Sequence, residues 1–241
     1  MSGHSKWSTI KHKKAKTDAQ RGKQFSKVVR EIMVSAKLGG ADPSMNPRLR
    51  LALQKAKEVN MPNDNIKRAI QKGAGNEPES QLEELIYEAY GPNGVAVLIK
   101  TLTDNRNRTV SNLKSTLTRC GGRMVEKGSV SYLFSAKGLI IFGSGSPEDQ
   151  IMEVAFAMDI DDFDVQEDGS IEIITSPQIF EELKASFDTH NLSYVSACLT
   201  MLPSTFISIS DKDCEQMISF IEKLEEDDDV QEVYANFCEE D

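Results

Sequence analysis

The sequence of 241 residues predicts an α+β protein: a helical N-terminal domain and two α/β domains, the third a ferredoxin-like βαββαβ unit inserted in the second. Two observations carry this expectation. The apolar period is helical from Phe25 to about Gly73, and thereafter strand-like runs alternate with helical ones. From Lys137 the order is strand, helix, strand, strand, helix, strand, the split βαβ pattern, and a strand–helix–strand remnant follows it. That remnant is explained if the middle domain was interrupted. The implied division is a basic arm and helical domain over 1–75, a discontinuous middle domain over 76–135 and 204–241, and an insertion over 136–203.

Each element has a local reason. Phe25, Val28, Val29, Ile32, Met33 and Ala36 recur at helical spacing, and Gly39-Gly40 ends the run. Asn46 is a candidate N-cap with Pro47 at the first helical position. Leu49, Ala52, Leu53 and Ala56 then form the stripe of a second helix. A third follows MPND, with Ile66, Ala69 and Ile70 on one face and Gly73 as its stop. KGAGNEPESQ is a linker by composition.

LEELIYEAYGPNGVAVLIKTLT reads as two strands joined at Gly91-Pro92-Asn93-Gly94. DNRNRTVSNLKSTLTRCGG reads as a helix with Val110, Leu113 and Leu117 inward, and SVSYLF as a strand. In the inserted segment the strands are GLIIF, DDFDV, SIEIIT and SYVSACLTML, with Asp168-Gly169 a strong hairpin signal. After Pro203, FISIS and VQEVYANF flank a helix from Asp211 to about Leu224, and both strands are expected to complete the middle sheet.

Composition excludes several classes. Apolar content of 39% and charged content of 27% describe an ordinary globular chain. No apolar run is long enough to cross a bilayer, and the N-terminus lacks a signal-peptide core, so a cytoplasmic protein with no membrane partner is expected. Cys120, Cys198, Cys214 and Cys238 have no paired spacing, so free thiols in a reducing compartment are expected. His4 and His12 lack ligand partners at metal spacing. DVQEDG resembles the start of a calcium loop, but Gln166 and Thr175 occupy ligand positions. No metal, cofactor, nucleotide cradle or catalytic constellation is expected, and the protein is read as a non-enzyme.

Charge is the informative feature. Residues 1–75 hold 17 Lys+Arg and 5 Asp+Glu, residues 76–130 seven of each, and residues 131–241 only 4 basic against 26 acidic. The whole chain is −10, so solubility does not explain the basic start. Lys6, Lys11, Lys13, Lys14, Lys16, Arg21, Lys23 and Lys27 share a segment whose single acid is Asp18. These side chains are too crowded to pair internally. A solvated tail is the plain alternative, but a polyanion partner fits better, since each phosphate neutralised releases counterions. Trp7, the single tryptophan, either staples the arm to the helical domain or stacks on an exposed base. A second basic cluster, Arg106, Arg108, Lys114, Arg119 and Arg123, begins at a helix start, where free amides also favour phosphate.

GHSKW, RGKQFSK, GGADPSMNPRLR, NMPNDNIKRAIQKG, YEAYGPNGVAV, LTDNRNRT and GSVSYLF together resemble the YebC family of bacterial regulators, whose mitochondrial relative is the translational activator of cytochrome c oxidase. The match is most specific up to about Phe134. The segment GGRMVEKGSV departs from the family by its charge, which Arg123 and Lys127 supply. The resemblance implies three domains and a DNA-binding transcription regulator, with no catalytic residues carried over. The alternatives are a ribosome-associated translation factor using the same arm on ribosomal RNA, or a protein–protein adaptor whose partner sits on the acidic domain.

Overall fold

The computed structural model describes residues 18–75 and 82–240, with side chains from Gln24 onward. Of these residues, one compact unit comprises 18–130 with Lys212–Ala235, and the other Ser131–Asp211 with residues 236–240. The helical segment and the middle sheet both belong to the first unit.

That unit begins with three helices, α1 (Asp18–Gly39), α2 (Pro47–Glu58) and α3 (Asn63–Ala74). Ile32, Leu49, Ala52, Ala56 and Ala69 are buried between them. Gly40, at φ 86°, ends α1 in the left-handed region that glycine adopts without penalty. Asn46 caps α2 by accepting from the Leu49 amide (3.0 Å), while its own Nδ2 donates to the Ser35 and Gly40 carbonyls (both 2.8 Å). One buried amide therefore fixes the start of α2 and its seat on α1. Gly73 is not the stop of α3. It lies within the helix where a Cβ would stand 2.2 Å from the Met33 carbonyl oxygen, so two helix backbones meet there.

The middle sheet has the order β3-β1-β2-β9, formed by β1 (Glu83–Tyr90), β2 (Ala96–Thr103), β3 (Arg123–Val125) and β9 (Val230–Ala235). All three pairings are antiparallel. Asn93 (φ 57°) and Gly94 (φ 75°) supply the positive dihedrals of the β1–β2 turn. Helices α4 (Arg106–Arg119) and α7 (Asp211–Glu225) contribute Leu113, Leu117, Met217, Phe220 and Ile221 to the buried apolar set of this unit.

The second unit holds β4 (Phe134–Phe142), α5 (Glu148–Phe156), β5 (Ile160–Val165), β6 (Ile171–Thr175), α6 (Phe180–Thr189) and β7 (Ser196–Pro203). Its sheet order is β5-β6-β4-β7, with every neighbour antiparallel, as a ferredoxin-like unit requires. Phe142, Phe180, Phe187, Ile140 and Ile173 pack with the two helices as its core.

Two expected strands differ. SVSYLF is a 3-10 turn over Ser131–Leu133, and its Phe134 opens β4, so one long strand replaces two short ones. FISIS does not join the middle sheet. Its residues form β8 (Ile207–Ile209), which pairs in parallel with β10 (Phe237–Glu239) as a separate two-stranded sheet. Only β9 of the C-terminal segment completes the middle sheet.

Candidate nucleic-acid interface

The predicted interface residues fall into three groups. Lys6, Trp7, Lys11, Lys13, Lys14 and Lys16 lie outside the described residues, as do the side chains of Arg21 and Lys23. Lys27 and Arg108 are held in internal bonds. Arg106, Lys114, Arg119 and Arg123 are exposed.

Lys27 Nζ donates to the Glu225 carbonyl at 2.8 Å, which ties α1 to the C-terminal end of α7. Arg108 belongs to a larger knot around Asp229, whose side chain is 3% exposed. Arg108 Nη2 donates to both Asp229 oxygens (3.0 and 2.9 Å) and to Asp104 Oδ1 (2.7 Å). Arg30 Nη1 donates to Asp229 Oδ1 at 2.7 Å and to the Asp228 carbonyl at 2.6 Å. The Thr109 and Thr103 hydroxyls donate to Asp229 Oδ2 at 2.8 and 3.2 Å. Burial alone would push the Asp229 carboxyl up, but bonds from Arg108, Thr109 and Arg30 outweigh it and hold it below the ordinary range. The sequence missed this hub because its donors stand up to 199 residues away.

The start of α4 is also occupied. Asn105 Oδ1 accepts from the Arg108 amide at 3.0 Å, capping the helix. Arg106 lies near the Tyr87 hydroxyl without a hydrogen bond of normal geometry. Burial raises the Tyr87 phenol, and the Arg106 charge opposes that only in part.

The far end of α4 is different. Gly121 (φ 81°) closes the helix, and the Gly122 amide donates to the Leu117 carbonyl at 2.8 Å. The Thr116, Leu117 and Thr118 carbonyls thus accept backbone amides of the closing turn. Arg123 stands over the Tyr90 ring, 5.4 Å from its centroid. Two open hollows adjoin Gly121. One, of about 440 Å³, lies between the Asn93-Gly94 turn and Arg123, and the other, of about 410 Å³, is lined by Arg119, Gln216 and Lys223. Lys223 was not predicted, because its neighbours in sequence are acidic. Among the described residues, no group of three or more His, Cys, Asp or Glu is arranged to hold a metal. Among them, too, no helix is long and apolar enough to cross a membrane.

Comparison with known proteins gives a consistent answer. The family described as "TACO1/YebC protein N-terminal domain" matches residues 5–76, and "TACO1/YebC second and third domain" matches residues 82–237. A "Probable transcriptional regulatory protein" of Trichlorobacter lovleyi is 50% identical over 98% of this chain and 96% of its own. A protein of the same name from Pelotomaculum thermopropionicum is 48% identical over 100% of both chains. The crystal structure of a conserved hypothetical protein from Aquifex aeolicus superposes with a TM-score of 0.86 at 44% identity, covering 98% of each chain. With family matches across nearly its whole length, the chain belongs to the TACO1/YebC family.

Proposed function

We propose that this protein is a non-enzymatic regulator of transcription that binds nucleic acid, with duplex DNA as its main ligand and the cytoplasm as its place of action. The observation that carries the reading is the division of charge: 17 Lys+Arg against 5 Asp+Glu over residues 1–75 in a chain of net charge −10. A segment that basic is kept against the trend of the whole molecule where it meets a polyanion. The names of the relatives support the regulatory role.

The test is duplex binding by the full chain and by a chain lacking residues 1–17, which leaves α1 from Asp18 intact. The full chain is expected to bind with log affinity falling steeply against log salt, by about 0.9 per phosphate neutralised. The shortened chain is expected to lose most of that affinity and slope. Equal binding by the two chains would overturn the assignment of the arm.

A further inference from the structure

Resting on that reading, we propose that the Gly121 turn carries a second, distinct site that takes single-stranded nucleic acid, two successive nucleotides in the two hollows, with Arg119, Arg123 and Lys223 on the phosphates.

Four features converge. No Asp or Glu lines either hollow, although the chain has 38 of them and α7 is rich in acids. Among the described residues, no ion pair engages Arg119, Arg123 or Lys223, whereas Arg30, Arg48 and Arg108 are all paired to carboxylates. Arg123 lines one hollow and Arg119 and Lys223 the other, so three cations without an acidic partner border the Gly121 turn. The hollows are open, with volumes of about 440 and 410 Å³, so a flexible strand can be laid across them. The hollows also offer polar groups for base edges and sugars: Asn93 in one, Gln216 and Ser219 in the other.

The ligand is a single strand for a geometric reason. A duplex keeps its bases stacked inside and presents a convex phosphate surface, which cannot enter two adjacent hollows. A single strand exposes both bases and backbone. Tyr90 holds the Arg123 guanidinium over its ring, so the cation is positioned before a ligand arrives. Melted DNA and nascent RNA both accompany transcription and present this same chemistry.

The experiment measures anisotropy of labelled single-stranded DNA, single-stranded RNA and matched duplex with the full-length chain. Arg119→Gln with Lys223→Gln is expected to weaken single-strand binding about tenfold or more and to reduce the salt slope by about 0.7 per cation removed. Duplex binding, carried by the arm, is expected to change little. Gln216→Glu places a carboxylate in the second hollow and is expected to weaken the single strand alone. Lys212→Gln, on the same helix but away from both hollows, is the control. Melting curves establish that each variant is folded. Tighter binding of either single strand by the unaltered chain supports the site and names its source. Unchanged single-strand affinity in both groove variants, or equal weakening of duplex and single strand, overturns it while leaving the arm-based reading in place. Failure of the unaltered chain to bind any nucleic acid sinks both.

Discussion

Asp229 shows how a single buried carboxylate organises distant segments. Its side chain is 3% exposed and receives two arginines and two hydroxyls, drawn from α1, β2 and α4. Arg108, which the sequence presents as a phosphate contact, is bonded to this carboxylate while its side chain stays 45% exposed. Asp229→Asn keeps the shape but removes the charge, and is expected to cost about 2–3 kcal/mol in chemical denaturation, the scale of hydrogen bonds to a charged group. Arg108→Ala is expected to lower the melting temperature while leaving the salt slope of DNA binding unchanged. A reduced slope in that variant would return Arg108 to the interface. The pH dependence follows from the direction of the shift. The folded-state pKa of Asp229 is below the unfolded value, ordinarily about 3.9. Its stabilisation is therefore complete above that value and lost as pH falls through the folded pKa. As pH falls below about 4 the unaltered protein should lose more stability than Asp229→Asn. Parallel loss in both would show that other carboxylates govern acid unfolding.

Among the elements, the helical segment depends on two close approaches. Asn46 seats the start of α2 on the end of α1, and a Cβ at Gly39 would come within 2.7 Å of it. Gly73 lets α3 lie directly against the backbone of α1 at Met33. Alanine at position 73 gains helix propensity, worth about 1 kcal/mol, but its methyl group has no room. The backbone must move, and overpacking of this kind typically costs about 1–3 kcal/mol. Gly73→Ala is expected to lower stability on balance, read as a lower denaturation midpoint. An increase would mean that the helices separate freely. Asn46→Ala removes a cap and two further hydrogen bonds, and a loss of about 2 kcal/mol is expected in the same measurement.

For the molecule as a whole, the contrast is between charge and core. The second unit encloses its own buried set, from Ile140 to Leu192, within the βαββαβ segment. Its first and last strands pair from Phe134 with Pro203 through to Ile141 with Ser196, so the two ends of the segment are adjacent. A segment with its own core and neighbouring ends has what independent folding requires. Residues 131–205 expressed alone are expected to unfold in one cooperative transition by circular dichroism. A broad, non-cooperative melt would show that the segment needs the rest of the chain. Its acidic excess also predicts greater stability of that fragment as salt screens self-repulsion.

The local elements were legible because their causes are local. The period of apolar residues marks the helices, Asn46-Pro47 marks the start of α2, and Asp168-Gly169 marks the β5–β6 hairpin, each within a few residues. The βαββαβ order was equally readable, since six strong elements follow one another without a gap. Where a short strand goes was not readable. FISIS alternates as an edge strand of any sheet would, and only the position of Phe237–Glu239 made β10 its partner. The basic stretches were visible as composition, but composition does not say which cation meets a carboxylate. Tertiary structure decided that. It brought Asp229 to Arg30 and Arg108, and it gathered Arg119, Arg123 and Lys223 around Gly121 with no acid among them, because contacts across more than a hundred residues leave no local pattern in the chain.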